Sequence, residues 1–210
     1  MSDSLQMFEL LLARLCHDLI TPVGAIELGL GIVSATTNSD ENEEAIKILA
    51  ESQQRLAIRL KMFRLLSVDT QERTEYAFEE LKDILSSYCL GEKVTFLTRG
   101  IPKVIPTTIM KFMIAAVMIL LPTLVRGGHM VFEKSEKEGG RVSLLCTGQG
   151  GRVFLREPVA AWFAGNRIPT SQTILCFLAE AFAKDCGASL HLTQAPEKTT
   201  LFLDMPPGTL

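Results

Sequence analysis

No Cys-x-x-Cys pair occurs in this chain, and its five cysteines (Cys16, Cys89, Cys146, Cys176 and Cys186) are odd in number. That usage suits buried or free thiols in a reducing cytoplasm. A basic excess is missing as well. The formal net charge is −3, whereas a nucleic-acid partner calls for a basic footprint. The opening residues, MSDSLQMFEL, lack the basic stretch and cleavage pattern of a secretory leader. The apolar run from Phe112 to Leu121 is bounded by Lys111 and Pro122. It falls well short of the roughly 18–20 residues that cross a bilayer, so a buried core helix is expected and membrane insertion is not. What remains is a chain of 210 residues, enough for one or two domains with a sizeable core.

The informative segment is LCHDLITPVGAI, residues 15–26. Leu5, Leu12, Leu19, Ile26 and Val33 recur every seven residues, with Phe8 and Leu15 three residues after the first two. This is the seam of a helix that packs in a bundle or coiled coil. His17 falls on the opposite face, held on a rigid element and open to a large partner. An amphipathic helix should be charged on that face, but around His17 it carries Ile20, Thr21, Gly24, Leu28 and Gly31. Gly24, Gly29 and Gly31 each cost a helix about 1 kcal/mol relative to alanine, and Pro22 removes a backbone donor. Tolerating those costs points to close approach by something else, and the strip reads as a docking surface. A Cys16–His17 ligand or nucleophile pair is disfavoured, because adjacent helical residues do not face each other.

The His-Asp-x-x-Thr-Pro run, here His17, Asp18, Thr21 and Pro22, resembles the H-box of sensor histidine kinases. The longer string LCHDLITPVGAIELGL is more similar to the ChpT-type histidine phosphotransferases of alphaproteobacteria. Many kinases have a basic residue just before the Thr-Pro pair; Ile20 lies in that stretch here.

Two composition regimes follow. Residues 4–36 and 40–68 read as helices joined by the polar turn TTNSD, with Asp40 and Glu43 suggesting a cap at the second start. In the second helix Ile46, Leu49, Leu56, Leu60 and Phe63 continue the apolar spacing, interrupted by Gln53. One hairpin leaves a wide apolar stripe uncovered. Pairing two hairpins into a four-helix bundle buries it, and a twofold homodimer is the common route. Residues 1–70 are therefore expected to form a helical-hairpin dimerisation and phosphotransfer domain.

After the linker VDTQERTEY, residues 76–210 read as a second domain. Helices are expected at 78–90, 107–125 and 172–186, the last closed by Gly187. Strands are expected at 93–98, 129–134, 141–146, 189–193 and 200–205. The fold class is α+β, a helical hairpin followed by an α/β sandwich. The element order resembles the ATP-binding domain of histidine kinases, with KDCGASLHLTQ matching its final helix-to-strand junction. The nucleotide site of that domain is not matched. Cys146 stands where the adenine-binding carboxylate belongs, in Cys146-Thr147-Gly148-Gln149-Gly150, and a thiol cannot accept as a carboxylate does. The helix at 107–125 has no acid or amide to hold magnesium, which needs hard oxygen ligands. Arg167-Ile168-Pro169-Thr170-Ser171 replaces a glycine-rich phosphate loop, and Gly148–Gly151 alone reads as a plain turn.

The resemblance implies a cytoplasmic phosphorelay protein that binds no ATP and no metal of its own. His17 would take a phosphoryl group from a receiver-domain aspartate on a hybrid histidine kinase and pass it to a response regulator. The receiver would bring Mg²⁺ and a lysine. A neutral imidazole is a good nucleophile near neutral pH, and phosphoryl transfer depends mainly on positioning and charge stabilisation. Asp18 is the candidate to orient the imidazole, although it lies about 100° round the helix. Thr21 is implied to aid water attack or the back-reaction. Arg14, Ile20, Gly24, Ala25 and Leu28 are the expected receiver-docking residues, with Arg152, Arg156 or Arg167 as further contacts. Two rival readings are a non-enzymatic dimeric interaction module and an atypical active kinase.

Overall fold

The computed structural model describes residues 3–35 and 38–210; Met1, Ser2 and the Thr36–Thr37 part of the expected turn lie outside the described residues. Two compact units result, Met1–Arg64 and Leu65–Leu210.

The first unit is built on two helices, α1 (Asp3–Ala35) and α2 (Ser39–Leu66). The start of α2 is organised by Asn38 rather than by Asp40. Its side-chain Oδ1 accepts from the Asp40 N–H at 3.0 Å, and its carbonyl accepts from Asn42 N–H at 3.1 Å. This satisfies donors that a helix start leaves without partners. The glycines of α1 divide into two kinds. A Cβ at Gly29 would lie 2.8 Å from Leu49 Cγ and 3.4 Å from the Ala45 carbonyl, so Gly29 is a point of close approach between α1 and α2, not part of an outer strip. Gly24 and Gly31 have nothing within 4 Å of that position.

Ala45 and Ser52 of α2 are buried, and Leu49 and Leu56 half-buried. Much of the α1 seam is open within one chain: Leu5, Phe8, Leu12 and Val33 are exposed, Phe8 at 61%. By length and composition α1, from Ser4 to Ala35, is apolar enough to cross a membrane, which the shorter run at 112–121 is not.

The second unit is an α+β sandwich. Its main sheet has the order β2-β4-β5-β7-β6, from β2 (Val94–Arg99), β4 (Gly128–Glu136), β5 (Val142–Gln149), β6 (Ser189–Ala195) and β7 (Lys198–Met205). Only β2 and β4 pair in parallel; the other neighbours are antiparallel. A small antiparallel pair joins β1 (Glu75–Ala77), at the end of the expected linker, to β3 (Val104–Pro106), where no element is expected. Both strands are three residues long, too short to display a period of two.

The helices are α3 (Phe78–Gly91), α4 (Thr107–Leu120), α5 (Glu157–Phe163) and α6 (Ile174–Asp185). Every residue of α4 except Thr108 is buried, which accounts for its apolar sequence all round. It ends five residues before the expected Val125, in a short 3-10 turn over Leu121–Thr123 that carries Pro122. The α6 terminus is closed as expected. Gly187 takes φ +63°, and the Ala188 N–H reaches the Ala183 carbonyl at 2.9 Å. The short α5 was not legible in the sequence.

On β7, Asp204 accepts hydrogen bonds from Ser143 and from Lys137 Nζ at 2.6 Å, with His191 Nδ1 at 3.6 Å. Burial alone would push this carboxyl up. The two hydrogen bonds and the Lys137 and His191 charges outweigh it and hold the group below its ordinary value. A carboxyl depressed in the folded state stabilises above its unfolded value, and that contribution is lost as pH falls through the folded value. Asp204→Asn is therefore expected to lower the melting temperature at about pH 7 and much less at about pH 3. An equal difference at both would refute the assignment.

Candidate functional site

His17 lies midway along α1 with its side chain 78% exposed, while Asp18 beside it is only 12% exposed. Asp18 Oδ1 is 3.2 Å from His17 Nδ1, so the angular offset between the two residues is bridged by their side chains. Asp18 Oδ2 accepts from Arg14 Nε at 2.8 Å, one turn back along α1. With Nδ1–H donating to a carboxylate, the imidazole has its lone pair on Nε2, on a side chain that is largely exposed. A carboxylate held by Arg14 is thus placed to set the tautomer and ring angle of an exposed imidazole.

Arg14 does not stand free on the docking face. Its side chain is 13% exposed and its guanidinium is turned onto Asp18, which makes it part of the orienting network. Thr21, Gly24 and Leu28 are exposed, Ala25 is half-buried and Ile20 is 70% exposed. These residues form a strip of small and apolar side chains next to His17. Arg59, on α2, was missed. It donates through Nη1 to the Asp18 carbonyl. The available signal was its spacing, three residues after Leu56 and four before Phe63, where a charged side chain is out of place.

In the second unit, Cys146 lies inside β5, fully buried, with its Sγ 3.7 Å from Met130 Sδ. Burial, then the neighbouring Cys89, pushes its thiol well above the ordinary value. Cys89 is likewise pushed up to about 12, by burial and then by Glu92. At the end of β5, Gly150 and, facing it, Gly128 at the start of β4 allow the backbones of these paired strands to approach closely. A Cβ at Gly150 would meet the Gly127 carbonyl at 2.6 Å, and one at Gly128 the Gln149 carbonyl at 2.2 Å.

A pocket of about 330 Å³ opens at the Val142–Ser143 end of β5, opposite the glycine run. The stretch before α6 is bonded to itself. Thr173 Oγ1 donates to the Ile168 carbonyl at 2.9 Å and accepts from Thr170 N–H at 2.9 Å. Arg167 pairs with Glu180 at 3.0 Å, whereas Arg152 and Arg156 are exposed. On α4, burial lowers the Lys111 ammonium, an effect opposed by Asp69 and Asp185.

Comparison with known proteins bears on these features. Residues 78–198 match the family described as the histidine phosphotransferase C-terminal domain. The protein phosphotransferase ChpT of Brucella abortus (strain 2308) is 25% identical over 129 residues, 61% of this chain. That match spans 60% of the relative's own length. Among solved structures, a bacterial phosphotransferase superposes with a TM-score of 0.81 at 18% identity, covering 97% of this chain and 98% of that one. The Acinetobacter baumannii histidine kinase AdeS gives 0.52 at 14% identity, covering 91% and 98%. At those identities the likeness is one of fold. It extends across both units and ties the α+β sandwich to the kinase ATPase architecture. With more than half of its length inside the family's own domain, the chain belongs to the histidine phosphotransferase family.

Proposed function

We propose that this chain relays a phosphoryl group between receiver domains through His17, as a cytoplasmic histidine phosphotransferase. The observation that carries the reading is the His17–Asp18 pair, with Nδ1 held and Nε2 open to solvent. The Nε2 lone pair attacks the phosphorus of a receiver aspartyl phosphate. The N–P bond forms as the bond from phosphorus to the carboxyl oxygen breaks, and the receiver carboxylate leaves. The second transfer reverses these bonds on another receiver. Asp18 stabilises the positive charge that develops on the ring, and Arg14 keeps Asp18 in place. Thr21 is proposed to assist water attack or return transfer. Ile20, Gly24, Ala25 and Leu28 offer the close, uncharged surface against which a receiver helix docks.

The chain is proposed to work without ATP and without a metal of its own, with Mg²⁺ supplied by the receiver. A buried thiol at Cys146, and glycines that accommodate neighbouring backbone, support this reading of the second unit.

It is also proposed to act as a homodimer. The open seam of Leu5, Phe8, Leu12 and Val33 supports this, since burying each such side chain fully contributes about 1.5–3 kcal/mol. The same pairing gives the apolar α1 a protein partner in place of lipid. Light scattering behind a sizing column is expected to give a dimer mass for the wild type and a monomer mass for Phe8→Glu. A monomeric wild type would sink the bundle.

The deciding experiment offers the full chain to pre-phosphorylated receiver domains carrying labelled phosphate, with no ATP present. Rapid, acid-labile labelling is expected. Labelling from ATP alone would make the protein a kinase. No labelling from either source would favour a binding module.

A further inference from the structure

Within α1 the carbonyl of each residue accepts from the N–H four residues on. Pro22 is four residues after Asp18 and has no N–H to give, and its ring crowds the Asp18 carbonyl. The residue that orients His17 therefore sits at the one gap this proline makes in the helix ladder. Arg59 of α2 fills that gap, donating Nη1–H to the Asp18 carbonyl.

The placement of Arg59 is unusual for a surface charge. It continues the spacing of Ala45, Leu49, Ser52 and Leu56, and the contact of Gly29 with Leu49 and Ala45 shows that this face of α2 turns toward α1. A long cation in a helix–helix seam needs a buried acceptor, and the proline supplies one by leaving a carbonyl without its donor. Asp18 is then held from two sides: its carboxylate by Arg14 and its backbone by Arg59. Both act on the group whose Oδ1 sits 3.2 Å from His17 Nδ1.

We propose that Arg59 is a positioning residue for phosphoryl transfer at His17, replacing across the hairpin the backbone donor that Pro22 removes. The proposal rests on the reading of His17 as the phosphoryl acceptor. Arg59 acts through Asp18: it fixes the stretch of backbone that aims the carboxylate at Nδ1 and so leaves Nε2 aimed outward.

The proline makes the idea testable by rescue. In Arg59→Met the Asp18 carbonyl loses its donor. In Arg59→Met/Pro22→Ala the second substitution restores a backbone N–H at that position, which can supply a donor from within the helix. Labelling from a phosphorylated receiver is expected to slow by about tenfold or more in Arg59→Met, the scale of a positioning loss. The double variant should recover most of that loss, and Arg59→Lys, which keeps a donor, part of it.

¹⁵N spectra of the His17 ring provide a second readout that a general loss of stability would not move. Arg59→Met should weaken the preference for the Nδ1–H tautomer, and the double variant should restore it. An unchanged rate and tautomer in Arg59→Met would overturn the proposal. So would a double variant no better than the single one, because Arg59 would then be acting through something other than the proline gap. Should Arg59→Met fail to fold, Arg59→Lys and the double variant decide the matter by the same two readouts. If even the wild type takes no label, the phosphotransfer reading fails, and the tautomer spectra alone still decide whether Arg59 and Pro22 are coupled through Asp18.

Discussion

His17→Gln is expected to reduce labelling from a phosphorylated receiver to background, a loss of at least about a thousandfold, while leaving the fold and the oligomeric state unchanged. No neighbour can replace the lost nucleophile. Asp18 is held by Arg14, and a hydroxyl such as Thr21 is weak as a nucleophile without an adjacent base. Stability should stay within about 0.5 kcal/mol, because the side chain is 78% exposed and belongs to no packed layer. The measurement pairs label incorporation with circular dichroism and light scattering on the same samples. A variant that still takes acid-labile phosphate would place the acceptor elsewhere. His129 and His191, both in the second unit, would then be the remaining histidines to examine.

The second large effect is structural and concerns the close approach between the end of β5 and the start of β4. Gly128 opens β4 at φ +139°, a conformation that side chains rarely adopt, and its Cβ would sit 2.2 Å from the Gln149 carbonyl. Both obstacles are backbone, so no rotamer change relieves them. Gly128→Ala has to separate β4 from β5 where both are interior strands of the sheet. A loss of about 3–4 kcal/mol is expected, a large part of a domain's usual margin. In a scan this corresponds to a fall of roughly 10 °C in melting temperature. Gly151→Ala is the matched control, since nothing lies within 4 Å of its Cβ position. If the two variants melted alike, Gly128 would not be serving the close approach of β4 and β5, and a loop role would have to be reconsidered.

The sequence carried the helical hairpin further than its single apolar face would suggest. The seven-residue recurrence of the first helix, the three-to-four spacing of the second and the polar turn between them placed both to within two residues at each end, and the His-Asp-x-x-Thr-Pro run singles out His17 by identity alone. Strands with alternating or continuous apolar residues were legible for the same reason, because periodicity is a local property. The losses came where structure depends on partners. β1 and β3 exist only because they pair with each other. The α2 start is organised by Asn38 because its side chain lies at the right place to meet Asp40 N–H, although Asp40 carries an equally good capping side chain.

Chain order by itself determined which residue is the candidate nucleophile, the α+β class, and the lack of acid or amide ligands along α4. Each of these depends on residue identity or local spacing, and none changes on folding. Tertiary structure decided how the candidate nucleophile is held. Only the hairpin brings Arg59 to the Asp18 carbonyl and turns Gly29 into a point of helix contact. The physical reason is distance along the chain. Forty-one residues separate Asp18 from Arg59, and no sequence period links a missing donor in one helix to a side-chain donor in another.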